Sequence, residues 1–173
     1  MLFRSQLISL FNLHDMTKPI ERKGIILAGG LGSRLYPVTL GVSKQLLPVY
    51  DKPMIYYPLT TLILSGVSEI VILSTTQGVG QFRKLIGDGS KWGIHVTYAV
   101  QDEPKGIADG IRIAIESFST PEPVLVILGD NIFHGAGLGR KISELPNSPF
   151  CYIWTQEVAN PESFGVINLT EDR

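Results

Sequence analysis

Lys23-Gly-Ile-Ile-Leu-Ala-Gly-Gly-Leu-Gly-Ser-Arg-Leu35 decides the fold of this chain. Residues 23–28 form a short apolar run that passes straight into glycines. A strand that is apolar on both faces belongs inside a parallel sheet, with helices covering it above and below. Glycines at its carboxyl end let backbone N–H groups approach an anion, and ligands of open α/β sheets sit at that end. Two familiar phosphate-binding patterns fail here. Counted from Gly30, the third glycine of a dinucleotide fingerprint falls on Leu35, and the Gly-Lys-Ser/Thr of a Walker A loop does not occur. The glycines alone fit a tight structural turn equally well.

Three charged residues shift that balance. Arg34 ends the glycine stretch, and its guanidinium can grip phosphate oxygens through two parallel hydrogen bonds. Lys44, in the largely apolar Ser43-Lys-Gln-Leu-Leu-Pro48, supplies a second cation. Asp130 directly follows another apolar run in Val126-Ile-Leu-Gly-Asp-Asn131. At the end of a central strand it shares a sheet edge with the glycine loop. A carboxylate facing a polyphosphate needs a cation between them, and Mg²⁺ fills that role. Read alone, Asp130 is also an acceptable turn or capping residue. His14, His95 and His134 have no metal-ligand spacing, and no Ser/His/Asp nucleophilic arrangement can be argued.

Outward from the first run, apolar strands and helices alternate. Strands are expected at 69–74, 94–100 and 123–128. Helices are expected at 54–65, with Pro58 early and Gly66 as its stop, and at 79–86 and 107–118. Such alternation implies an α/β fold: a Rossmann-like, doubly wound, mainly parallel sheet with helices on both faces. Beyond Asp130 the rhythm changes. Gly-rich 135–139 leads into a short helix, and β-rich stretches at 150–156 and 164–169 flank a turn at Asn160-Pro161. Residues 1–22 read as an N-terminal tail, which leaves 23–173 as the domain.

Composition narrows the function. Fifteen basic and 16 acidic side chains give a net charge of −1. No field is available for non-specific nucleic-acid binding or for attachment to an anionic membrane. The apolar runs fall short of the ~18 residues of a membrane span, and the N-terminus lacks the pattern of a secretory signal. A cytoplasmic protein is the expectation. The single Cys151 excludes a disulfide framework within the chain, and its apolar neighbours suggest a buried packing residue.

With these residues in place, Gly24-Ile-Ile-Leu-Ala-Gly-Gly-Leu-Gly-Ser-Arg-Leu-Tyr-Pro-Val-Thr39 and Ser43-Lys-Gln-Leu-Leu-Pro-Val-Tyr-Asp-Lys-Pro-Met-Ile-Tyr-Tyr-Pro-Leu59 resemble the sugar-1-phosphate nucleotidyltransferases, and within them the thymidylyl-transferring branch. Leu85-Ile-Gly-Asp-Gly-Ser90, Tyr98-Ala-Val-Gln101, Leu128-Gly-Asp-Asn-Ile-Phe133 and Pro161-Glu-Ser-Phe-Gly-Val166 extend the match, so that it covers about residues 23–170. The resemblance implies a nucleotidyltransferase fold and a reaction of dTTP with glucose 1-phosphate, giving dTDP-glucose and pyrophosphate with Mg²⁺ as cofactor. It implies that Gly29, Gly30, Gly32 and Ser33 cradle the triphosphate and that Arg34 and Lys44 are catalytic cations. Gln45 joins the nucleotide site, and Gln101, Pro104 and Gly106 meet the base, the Gln101 amide facing both N3–H and a carbonyl. Asp130 is then catalytic and the metal ligand, while Gly165 lines the sugar pocket. Members of this family are usually homo-oligomers.

The chain departs from the family pattern in three ways. Ser33 stands where threonine is usual and keeps the hydroxyl. Asp109 stands where glutamine is usual and brings a negative charge near the nucleotide. Family members continue past the counterpart of Arg173 into the sugar-binding half, with a Glu-Lys-Pro lysine and a second metal aspartate, so little turnover is expected of these 173 residues alone. A UTP- or CTP-using relative and a non-catalytic nucleotide-binding remnant stay open as alternatives.

Overall fold

Lys23–Leu27 forms β1, buried along its whole length. The computed structural model describes residues 21–167 except Leu31, Pro104, Asn147, Pro149 and Phe150, so the tail at 1–20 lies outside the described residues. Beyond β1 come a two-stranded ribbon, β2 (Pro48–Val49) and β3 (Lys52–Pro53), then α1 (Tyr56–Leu64) and β4 (Glu69–Ser74). Next are α2 (Thr76–Ile86), β5 (His95–Val100), α3 (Ile107–Ile115), β6 (Val124–Leu128) and α4 (Leu138–Ser143).

The main sheet has the order β5-β4-β1-β6 and is parallel throughout, with antiparallel pairing confined to the β2–β3 ribbon. From β1 the chain winds outward to β4 and β5, then crosses back to place β6 on the other side of β1. The winding direction therefore reverses between β1 and β6. In open α/β sheets the crevice beyond the carboxyl ends at such a point is where ligands bind.

Alternate side chains of each apolar run serve opposite faces. Ile26, Ile70, Ile72 and Ile127 pack with Leu59 and Leu62 of α1 and with Phe82 and Ile86 of α2. Ile25, Leu27, Val71 and Leu73 pack with Ala114 and Ile111 of α3. Each buried aliphatic or aromatic side chain contributes about 1.5–3 kcal/mol. Helices cover both faces, as expected. Pro58 falls in the first turns of α1, where its missing N–H is tolerated. Among the described residues no helix is long and apolar enough to cross a membrane.

The expected helix at 79–86 begins three residues earlier, because the Thr75 hydroxyl caps it by accepting from the Gly78 N–H at 3.1 Å. Gly78 and Gly80, poor helix formers, mask that first turn in the sequence. The expected strands at 150–156 and 164–169 are not found in the parts that are described. Residues 151–158 form no strand and are exposed throughout, as are 165–167. A strand exists only through its ladder partner, and among the described residues no strand pairs with these segments. Cys151 is consequently exposed, not a buried packing residue.

Candidate active site

Glycine-loop geometry follows from the sheet. The Ala28 N–H donates to the Leu73 carbonyl at 2.7 Å, and the Gly129 N–H donates to the Leu27 carbonyl at 2.8 Å. These bonds carry the strand pairing one step past the last ladder residues and hold the two outgoing loops side by side. Gly32 has φ +63°, a left-handed conformation that turns the chain into a single 3₁₀ turn, Ser33–Leu35. The Thr39 hydroxyl donates to the Gly32 carbonyl at 2.9 Å and fixes the return of the loop.

Lys44 and Gln45 enter from a second 3₁₀ turn, Lys44–Leu46. The Lys44 ammonium donates to Asp130 Oδ2 in an ion pair whose two side chains are both part-buried. That pair ties the segment before the ribbon to the loop after β6, across the reversal point. Gln45 is buried. Its Oε1 accepts from the Ser43 hydroxyl at 2.7 Å, and its Nε2 lies 3.9 Å from where a Gly30 Cβ would stand. Gly129 admits it closely, since a Cβ there would lie 3.0 Å from Gln45 Cγ.

Gln101 follows β5 and is buried too. Its backbone N–H donates to the Ser74 carbonyl at 2.9 Å, continuing the β4–β5 pairing. The side-chain Nε2 donates to Asp109 Oδ2 at 2.8 Å and to the Gly106 carbonyl at 3.3 Å. Oε1 lies 3.7 Å from where a Gly29 Cβ would stand. Gly106 opens α3 with φ +96°. Asp109 Oδ1 accepts from the Arg112 guanidinium at 3.0 Å. The Gln101 amide first, and then Arg112, hold the Asp109 carboxyl below its ordinary range.

Of the expected site residues, Gly29, Gly30, Gly32, Lys44, Gln45, Gln101, Gly106 and Asp130 are linked by these contacts into one rim along the carboxyl ends of β1, β4, β5 and β6. Ser33 and Arg34 stand exposed on the first 3₁₀ turn, and the Arg34 guanidinium has no partner among the described residues. Gly165 lies in exposed chain after the turn Pro161–Ser163, with nothing within 4 Å of its Cβ position. Among the described residues no contact joins it to the rim. Pro104 lies outside the described residues.

Sequence reasoning missed the residues that orient this set: Thr39 on Gly32, Ser43 on Gln45, and Arg112 on Asp109. Each is three or fewer positions from an expected residue, or carries a hydroxyl near the glycine loop, and that was the available signal. A shallow cleft of about 100 Å³ opens beside the rim between Gly30, residues 39–43 and the first turn of α2.

Among the described residues no three His, Cys, Asp or Glu side chains gather into a metal cage. Asp130 offers one carboxylate. Mg²⁺ is typically held by one or two carboxylates with substrate phosphates and waters completing its shell, so this donor set fits part of such a site.

Residues 23–173 match the family model described as "Nucleotidyl transferase". Curated relatives named glucose-1-phosphate thymidylyltransferase include that of Mycolicibacterium smegmatis, 47% identical over 150 residues that make up 87% of this chain and 52% of the relative. The Mycobacterium tuberculosis protein is 48% identical over 147 residues, 85% of this chain and 51% of the relative. The Xanthomonas campestris protein is 49% identical over 152 residues, 87% of this chain and 51% of the relative. A crystal structure of a Bacillus anthracis protein assigned the same activity, in complex with a sucrose, superposes with a TM-score of 0.64 at 41% identity. That match covers 69% of this chain and 48% of the other. The chain thus spans about half the length of the curated relatives it matches.

Proposed function

Because the chain belongs to the nucleotidyl transferase family, we propose that its β1–β6 rim binds dTTP and serves thymidylyl transfer to glucose 1-phosphate, giving dTDP-glucose and pyrophosphate. The observation that carries this reading is the Lys44–Asp130 pair beside the glycine loop at the sheet's reversal point. A cation and a carboxylate side by side next to a glycine loop support a triphosphate site there.

In the reaction an oxygen of the sugar phosphate attacks the α-phosphorus in line. The bond from that phosphorus to the bridging oxygen of pyrophosphate breaks, and the leaving group carries away its electron pair. No covalent link to the protein is needed, so this chain's residues act by positioning and by stabilising charge. Gly29, Gly30, Gly32 and Ser33 present backbone donors to the phosphates. Arg34 is exposed and without a competing partner among the described residues, so it is free to swing onto the departing pyrophosphate. Lys44 sits nearer the sheet, where it balances charge between Asp130 and the phosphates. Gln45, held by Ser43, braces the loop from below. Gln101, Pro104 and Gly106 form the base side of the site, and Gly165 contributes to the sugar side. Asp130 would hold Mg²⁺, which neutralises phosphate charge when bound.

Calorimetric titration of the chain with dTTP tests this reading, with and without Mg²⁺. Saturable one-to-one binding, tightened by Mg²⁺ and weakened by salt, is expected. The absence of saturable binding to a chain that circular dichroism shows folded would overturn it.

A further inference from the structure

We infer that Asp109 decides which nucleobase edge Gln101 can read, by locking the Gln101 amide with its acceptor oxygen toward the site. The inference rests on the nucleotide-site reading above and deepens it. A glutamine amide has two N–H donors and one carbonyl acceptor, and turning it by half exchanges them. Here both donors are engaged, one with Asp109 Oδ2 at 2.8 Å and one with the Gly106 carbonyl at 3.3 Å.

The turned amide would set Oε1 against a carboxylate oxygen and a carbonyl, three acceptors with no proton among them. Asp109 cannot relieve this by donating, because Arg112 engages its other oxygen at 3.0 Å and favours the ionised, acceptor-only form. Oε1 accepts no hydrogen bond among the described residues and is not sealed from solvent. It lies between Gly29 of the rim and Gly110 of α3, 3.7 Å and 3.6 Å from where their Cβ atoms would stand. An acceptor fixed there matches a pyrimidine that carries N3–H, namely thymine or uracil. It opposes cytosine, whose N3 is itself an acceptor. On this inference the amide reads N3–H alone and not a base carbonyl as well, since both its N–H donors are taken by Asp109 and Gly106.

Asp109 acts through Gln101 and is therefore a positioning residue. Equilibrium titrations with dUTP and dCTP test its role, because these probes differ only at the edge of the pyrimidine. The wild-type chain is expected to prefer dUTP by on the order of 10- to 100-fold. Asp109→Asn keeps the shape but can present either face of its amide to a turned Gln101, so the preference should collapse to within about threefold. Asp109→Glu remains acceptor-only and should retain it. If Asp109→Asn melts early, the ratio is read on Asp109→Ser, for which the same collapse is expected. An undiminished preference in these variants, or no preference in the wild type, overturns the role of Asp109 and leaves the nucleotide site standing. A wild type that binds neither nucleotide overturns both.

Discussion

Replacing Gly32 by alanine tests the physical basis of the rim at its tightest point. The residue sits at φ +63°, where an L side chain costs about 1–2 kcal/mol. Its new Cβ would stand 2.9 Å from Thr39 Cγ2 and 3.1 Å from Lys44 Cβ. Thr39 cannot retreat freely, because its hydroxyl donates to the Gly32 carbonyl, a bond worth about 0.5–1.5 kcal/mol net. Together these make a loss of roughly 1.5–3.5 kcal/mol. For a chain of this length that corresponds to about 5–10 °C in Tm. Gly41→Ala is the control, at φ −108° with nothing within 4 Å of its Cβ position, and it should be neutral or slightly stabilising. Urea unfolding of both variants reads the difference. If Gly32→Ala lies within 0.5 kcal/mol of Gly41→Ala, taken as about the spread of ordinary surface changes, the claim that this loop is conformationally constrained is wrong.

Other outcomes follow from single contacts. Lys44→Ala should weaken dTTP binding roughly 10- to 100-fold, the scale of one charge-assisted hydrogen bond, while Lys91→Ala leaves it unchanged; equal effects in calorimetry would refute a specific role. Phe82→Ala empties a fully buried site in the cluster under α2 and should cost about 3–5 kcal/mol by chemical denaturation. Burial pushes the Tyr98 phenol up to about 12, above its ordinary 10.0, and its hydroxyl donates to the Gly87 carbonyl at 2.6 Å. A folded-state value above the unfolded one means that this stabilisation is complete below pH 10 and drains away as pH climbs toward 12. Thermal melts across that window should show the decline in the wild type and a shallower one in Tyr98→Phe.

Much of the architecture is legible in the letters because the strands of a doubly covered sheet must be apolar on both faces. Residues 23–28, 69–74 and 123–128 announce themselves for that reason, and the glycines after the first mark the rim. What the letters do not carry is adjacency. Lys44 and Asp130 read singly as a possible phosphate ligand and a possible metal ligand, and their pairing depends on β6 crossing back beside β1. Asp109 reads as a stray charge near a nucleotide, whereas it is spoken for by Gln101 and Arg112. Residues 151–156 have strand-like composition, but composition cannot supply a ladder partner. Cys151 is exposed for the same reason.

The place of β1 between β4 and β6 has a kinetic corollary. Lys23 pairs with Glu69 on one side and with Val124 on the other. The second partner lies 101 residues further along the chain. Closing so large a loop costs entropy before any contact repays it, and such non-local pairing slows folding. During synthesis β1 must therefore wait, half satisfied, until Leu128 has left the ribosome.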